Sequence, residues 1–287
     1  MKSVLAKSAG FCWGVRRAVE TALEAARGDA RASDTVFTDG PLIHNSHQTR
    51  LLEESGVWEC ADPATLASGS ALLIRAHGIA PERRAYLESL PLRLIDATCP
   101  DVAKIHEIVL KRAAEGAVVF VFGDEGHAEV TGLLGCAGAR GRVLTSPRDI
   151  PEIENSKVVL VSQTTQSPES FAEVAAAVKA RFPDAEIIGT ICRATQMRQN
   201  ELKELATDCD AIVVIGSPKS ANTQRLAQIA ASLKKTIVAD SADDLRAADF
   251  AGVKTVAVTA GASTPDFIIK EVVDRIDKID GIDTSEK

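Results

Sequence analysis

Aromatic side chains are scarce in this chain: they make up 4% of 287 residues, with a single tyrosine. Its interior must therefore be built mainly from aliphatic residues. There is no long basic run either, and the net charge is −7. That argues against a general nucleic-acid binder, whose affinity comes from clustered Lys and Arg. No stretch reaches the roughly 18 apolar residues of a membrane-spanning helix. MKSVLAKSAG lacks the apolar segment of a secretory signal. A cytoplasmic protein is expected, with no membrane and no nucleic acid among its partners. No close Cys-x-x-Cys pair occurs, which lowers the zinc-ribbon and ferredoxin readings. No GxGxxG fingerprint stands at a strand–helix turn, so a resident dinucleotide is not indicated.

Six cysteines are present. In a reducing compartment they read as ligands, reactive thiols or core residues rather than as a disulfide framework. Three share one local context. RLIDATCPDVAKI runs from an apolar strand pattern into Cys99, and Pro100 then opens a helix with Val102, Ile105 and Val109 on one face. SVLAKSAGFCWGV leads a strand into Cys12 and then a helix, and AEIIGTICRATQM does the same at Cys192. The intervals are nearly equal, as in an internal threefold repeat. A thiol at a helix start feels the positive end of the helix dipole and ionises more readily, and thiolate is the metal-binding form. Buried Cys is also a common small hydrophobe, so coincidence is the plainer alternative. Cys60, Cys136 and Cys209 lie outside the pattern and are read as bystanders.

Each interval carries the same series. DTVFTD, SALLIRA and RLIDAT read as strands in the first, AVVFVFG, KVVLVS and EIIGTI in the second, and DAIVVIGS and TVAVTA in the third. Helical patterns lie between them. The third interval lacks a closing strand, which the segment before Cys12 could supply. The expected fold is α/β, with three similar parallel-sheet units covered on both faces. Boundaries at the cysteines give units 13–98, 99–191 and 192–280, with residues 1–12 closing the third sheet. The polar end, GIDTSEK, is expected to fray.

In parallel sheets ligands bind beyond the carboxyl ends of the strands. The loops there carry His44, Asn45, His77, His127, Glu129, Gln163, Thr164, Ser217, Ser220, Asn222 and Ser263, with few cations beyond Arg75 and Lys219. Helix starts with neutral donors suit a phosphate or diphosphate. Taken singly, the Ser, Thr and Asn residues are ordinary N-caps, Glu129 is an ordinary first-turn acid, and each His is more simply structural. His44 and His47, three apart, form at most a weak metal pair. His106, inside a helix, reads as structural. Structural zinc on three thiolates usually takes a fourth protein ligand, and iron–sulfur clusters usually take four Cys. A cluster on three would leave one iron open. Two other readings use the same residues: a thiol-dependent hydrolase or transferase acting on a phosphorylated metabolite, and a non-catalytic, cluster-bearing redox sensor or binding module.

GFCWGVRRAV, GPLIHN, RAHG, DATCP, GHAEVTG, SQTT, CRAT…RQ, GSPKSANTQRL and AGASTPD follow one another in the order found in a known family. Across nearly its whole length the chain resembles the 4-hydroxy-3-methylbut-2-enyl diphosphate reductases of the methylerythritol phosphate route to isoprenoids. The resemblance implies three α/β units arranged pseudo-threefold around a central iron–sulfur cluster held by Cys12, Cys99 and Cys192. The working [4Fe–4S] form would keep its fourth iron open, and loss of that iron would leave [3Fe–4S]. It implies substrate diphosphate binding by His44, His77, His127, Ser220, Asn222 and Ser263, with Thr164 near the substrate hydroxyl and Glu129 as proton relay. The reaction implied is reductive loss of the allylic hydroxyl as water, giving isopentenyl and dimethylallyl diphosphate. Electrons would come from ferredoxin or flavodoxin. Ala221, Ala128 and Lys219 depart from the family pattern, which commonly has Ser, Pro and Asn near these points.

Overall fold

The computed structural model describes residues 1–28, 35–153 and 156–280. The end expected to fray, 281–287, lies outside them. The elements run β1 (Lys2–Leu5), α1 (Trp13–Gly28), β2 (Val36–Asp39), α2 (Ser46–Glu54), β3 (Val57–Cys60), β4 (Ala71–Ile74), α3 (Pro81–Glu88) and β5 (Arg93–Asp96). Then come α4 (Pro100–Ala114), β6 (Val118–Phe122), α5 (Ala128–Ala137), β7 (Gly141–Leu144), β8 (Val158–Ser162), α6 (Pro168–Arg181) and β9 (Glu186–Ile187). The described residues finish with α7 (Arg193–Ala206), β10 (Ala211–Ile215), α8 (Ala221–Leu233), β11 (Lys235–Ala239), β12 (Thr255–Ala260) and α9 (Asp266–Asp280). No described helix is long and apolar enough to cross a membrane.

The strands form three four-stranded sheets, β3-β2-β4-β5, β7-β6-β8-β9 and β11-β10-β12-β1. Every pairing among the described residues is parallel. All three follow one plan: the first strand of the series and the next long one lie at the centre, a short excursion forms one edge, and a closing strand forms the other. In the third sheet β1 is the closing strand, with Lys2 opposite Thr255 and Leu5 opposite Val258.

Two compact units can be distinguished. The first comprises Met1–Cys12, His44–Gln48 and the chain from Arg193 onward. Its sheet buries both faces. Val213, Ile215, Val256 and Val258 pack on Ile268, Val272 and Ile276 of α9, while Ile212, Val214 and Ala257 pack on Leu202 of α7 and Leu226 of α8. Adjacent residues go to opposite faces because strand side chains alternate. The second unit comprises Trp13–Ile43 and Thr49–Cys192 and holds the other two sheets. Val119, Val121 and Val161 meet Ile105 and Val109 of α4 and Leu133 of α5. Phe120 and Leu160 meet Val174 and Val178 of α6. Leu72 and Ile74 pack with Leu87 of α3. Burying each such aliphatic side chain contributes about 1.5–3 kcal/mol.

Three strands escape a reading of apolar runs: β3, β7 and β11. They occupy the same edge of each sheet. An edge strand buries little, so polar residues are tolerated there: Glu59, Arg142 and Lys235 are exposed, as are Trp58 and Val238. β9 is the opposite case. The pattern predicts a strand to Ile191, yet it ends at Ile187. The Thr190 hydroxyl accepts from the Ser162 N–H at 2.7 Å and donates to the Ser162 carbonyl at 2.6 Å, replacing the ladder with a side chain. Helix α2 begins at Ser46, where the Asn45 side chain caps it by accepting from the Gln48 N–H at 2.9 Å.

Candidate active site

In the second unit, six of the predicted residues form one connected path. The Cys99 N–H donates to the Ala76 carbonyl at 2.9 Å, fixing the junction beside His77. The His77 ring meets the His127 ring edge to face, with centroids 5.5 Å apart. His127 caps α5, its Nδ1 accepting from the Glu129 N–H at 3.2 Å. An acceptor Nδ1 carries no proton, so neutral His127 keeps its proton on Nε2 as a donor. Both Glu129 carboxylate oxygens are engaged by Thr164: Oε1 accepts from its N–H and Oε2 from its hydroxyl, each at 2.7 Å. The Thr164 carbonyl in turn accepts from the Cys192 N–H at 3.1 Å.

Glu129 is 2% exposed. Burial pushes its carboxyl up to about 7, against the two hydrogen bonds from Thr164, and the Asp124 charge adds to the rise. The dipole of α5 favours the ionised form, but desolvation outweighs it. A carboxyl balanced near neutrality can hold and release a proton at working pH.

His77 is followed by Gly78, which has φ +68; a Cβ there would lie 2.9 Å from Cε1 of His106. His106, on α4, thus packs beneath the turn that carries His77, and burial holds its imidazole below the ordinary value. This agrees with a structural role for His106.

In the first unit the remaining predicted residues also meet. Asn222 is buried near the start of α8, and its Oδ1 accepts from the Ala262 N–H at 2.9 Å. The Ala262 carbonyl accepts from the Cys12 N–H at 3.2 Å. Next along the chain, Ser263 donates to the His44 carbonyl at 3.3 Å. Ser220 caps α8, its Oγ accepting from the Thr223 N–H at 3.4 Å, and it keeps its own proton to donate. Asn222 Nδ2 is buried with no protein partner. A buried donor without an acceptor costs about 1–3 kcal/mol, which an acceptor from outside the chain would relieve. Ala221, the first residue of α8, brings no hydroxyl. His44 precedes α2 and does not share it with His47, which lies 3.9 Å from the Asp240 carboxylate.

The six cysteines form no disulfide. Cys99 caps α4, and Cys12 and Cys192 immediately precede α1 and α7. All three are half-buried. Soft thiolates at helix starts fit an iron–sulfur group, whose irons take thiolate ligands. The other three thiols are pushed up by burial, Cys136 to about 11, and Cys60 and Cys209 in the same direction.

Arg198 and Arg17 were not legible as contributors. Arg198 is 4% exposed on the inner face of α7, donating to the Gly10 carbonyl at 2.5 Å. Its place four residues before Leu202 marks it as inward-facing, but a lone arginine on a helix usually reads as solvent-exposed.

Three like parallel sheets with reactive groups gathered at the carboxyl ends of their strands make this an α/β enzyme of the parallel-sheet kind. The family model described as LytB protein matches residues 4–277, and the chain belongs to that family, which is an iron–sulfur family of reductases. The 4-hydroxy-3-methylbut-2-enyl diphosphate reductase of Citrifermentans bemidjiense is 43% identical over 282 residues, covering 98% of each chain. That of Aquifex aeolicus is 39% identical over 282 residues, covering 96% of each. The solved E-1-hydroxy-2-methyl-but-2-enyl-4-diphosphate reductase from Plasmodium falciparum matches with a TM-score of 0.90 at 30% identity, over 95% of this chain and 87% of that one. A second solved structure, of the terminal enzyme of the non-mevalonate pathway, matches at 0.71 with 39% identity, over 97% of this chain and all of that one (100%).

Proposed function

We propose that this chain reduces 4-hydroxy-3-methylbut-2-enyl diphosphate to isopentenyl and dimethylallyl diphosphate. Two electrons and two protons enter, the allylic C–O bond breaks, and the oxygen leaves as water. The observation that carries the reading is the buried Glu129 carboxyl, poised near neutrality and held at both oxygens by Thr164. On this reading Cys12, Cys99 and Cys192 hold the cluster, a [4Fe–4S] group with one open iron that is isolated as [3Fe–4S] when that iron is lost. When bound, the cluster supplies the electrons and a Lewis-acid iron for the substrate hydroxyl. Ferredoxin or flavodoxin is the donor, and the enzyme works in the cytoplasm.

The chain's own residues then have definite tasks. The backbone N–H of Thr164 always donates to Glu129 Oε1, so the acid proton resides on Oε2. From there it is donated to Thr164 Oγ1, whose own proton turns outward to the departing hydroxyl. An allylic hydroxyl leaves poorly until it is protonated, and such a relay supplies that proton. Asn222 Nδ2, the Ser220 hydroxyl and the imidazoles of His44, His77 and His127 donate to the diphosphate, and Ser263 joins them when its proton turns from the His44 carbonyl to the anion. Anchoring that end fixes where the hydroxyl lies. Units 13–98, 99–191 and 192–280, with residues 1–12 closing the last sheet, describe how the site is shared, and the repeated strand order supports that division.

The test is anaerobic turnover with the diphosphate substrate and a reduced donor, in wild type and in Glu129→Gln. Formation of both products by the wild type and their near-complete loss in the variant are expected. Absence of product from iron- and sulfide-replete wild type would overturn the reading.

A further inference from the structure

The backbone just before Cys99 is clamped from two sides. Arg17, five residues after Cys12 on α1, donates from Nη1 to the Thr98 carbonyl at 3.0 Å and from Nη2 to the Asp96 carbonyl at 3.5 Å. From the other side the Asp96 carboxylate accepts from the Thr98 N–H at 2.9 Å and from Arg84 at 2.5 Å. The carbonyl that Arg17 grips belongs to the peptide whose nitrogen is that of Cys99, and that N–H is itself tied to Ala76. The Asp96 and Thr98 carbonyls and the N–H groups of Ala97, Thr98 and Cys99 are therefore all held. Arg198, six residues after Cys192, holds the Gly10 carbonyl two residues before Cys12 in the same way. Two of the three junction cysteines thus follow a carbonyl held by an arginine from a helix that itself begins after a junction cysteine.

A neutral donor would satisfy a carbonyl. A guanidinium also brings a charge that does not titrate. Arg84 and Asp96 offset one another, whereas the donors of Arg17 go to carbonyls. Arg17 is half-buried, so water screens its charge less than at the surface.

We propose that Arg17 is a positioning residue for Cys99 that also holds the reduction potential of the bound iron–sulfur group up, with Arg198 as its counterpart at Cys12. This rests on the reading of the three cysteines as cluster ligands. Reduction adds an electron, and a fixed cation one peptide away stabilises the added negative charge, since net charge and hydrogen bonds near the sulfurs set such potentials. The group itself need not contact Arg17, because the effect is electrostatic and acts through the held peptide.

Two variants separate charge from hydrogen bonding. Arg17→Gln keeps a donor and loses the charge, and Arg17→Lys keeps the charge. Iron and acid-labile sulfide are counted first in anaerobically prepared protein, and the midpoint potential is then read by EPR-monitored titration. The expected result is a more negative midpoint in Arg17→Gln at wild-type iron content, with Arg17→Lys close to wild type. An iron-replete Arg17→Gln with an unchanged midpoint would overturn the inference, as would equal falls in both variants. If Arg17→Gln holds no iron, Arg17→Lys decides: iron retained at the wild-type midpoint supports the charge, and loss there too overturns it. Wild type that holds neither iron nor sulfide would instead sink the reading of the cysteines.

Discussion

Thr164 binds both carboxylate oxygens of Glu129, one with its backbone N–H and one with its hydroxyl, each at 2.7 Å. The two donors differ in kind. The N–H cannot reverse, while the hydroxyl can accept as easily as it donates. One oxygen of the acid is therefore fixed and the other is the exchange point.

Glu129→Gln fits the same two partners. The amide oxygen takes the Thr164 N–H, and the amide N–H donates to the hydroxyl. The fold and iron content are expected to persist while turnover falls by orders of magnitude. Stability responds to pH with a definite sign. The folded carboxyl is raised from 4.5 to about 7. The native state therefore binds more protons than the unfolded chain between these values, and wild-type stability falls as pH rises across them. The full cost above pH 7 is on the order of 3 kcal/mol, at about 1.4 kcal/mol per unit. Glu129→Gln escapes it. Chemical denaturation at pH 4 and pH 8 is expected to show the variant gaining on wild type at the higher pH only; an equal difference at both would refute the raised carboxyl.

Thr164→Val removes the hydroxyl and leaves the N–H. The ionised form of Glu129 then loses one of its two donors, and its carboxyl rises further. On the proposed relay the alkaline limb of the pH–rate profile follows loss of the Glu129 proton, and it is expected to move upward in this variant. Turnover at the optimum falls because the exchange point is gone. Thr164→Ser is expected to restore both. A Val variant with an unshifted limb would separate that limb from Glu129.

Much of this was visible in the sequence, and what was hidden has physical reasons. Central strands such as β6, β8 and β10 are buried on both faces and spell unbroken apolar runs. Their edge partners β3, β7 and β11 bury one face in part, so residues such as Glu59 and Arg142 disguise them. The junction cysteines stood out because strand, thiol and helix recur together. The pairing of Glu129 with Thr164 joins residues 35 apart and has no local signature. The same holds for Arg17 and Thr98, 81 apart. Asn222 was legible as polar and loop-borne; only the fold shows that one end of its amide is taken and the other is spare.

Cysteine substitutions should divide cleanly. Cys12→Ser, Cys99→Ser and Cys192→Ser each are expected to lose most iron, since an alkoxide is a far poorer ligand for iron than thiolate. Cys60→Ser and Cys209→Ser are expected to keep it. Cys136→Ala is the better test at the third site, because that thiol is 7% exposed among Ile105, Val130 and Leu133 and a hydroxyl there would lack a partner. Iron and sulfide per chain, counted after anaerobic purification, check all six. Iron loss at Cys60 or Cys209, or retention at any of the junction three, would redraw the ligand set.

Asn222 offers the sharpest separation of binding from chemistry. Its Oδ1 is committed to the Ala262 N–H, and its Nδ2 awaits an acceptor. Asn222→Asp keeps the first role and loses the second, placing a carboxylate where the diphosphate should lie. Asn222→Ala loses both. A lost hydrogen bond to a charged group costs about 1.5–3 kcal/mol, roughly 10- to 150-fold in affinity. The expected result for Asn222→Ala is a rise in KM of that order with a smaller change in kcat. Asn222→Asp should be worse despite its closer shape, because like charges then meet in a site short of cations. Affinity for inorganic diphosphate, measured by calorimetry, should fall in the same order. If Asn222→Asp bound diphosphate as tightly as wild type, the spare amide would not face the anion, and the loops around α8 would have to serve another end of the substrate.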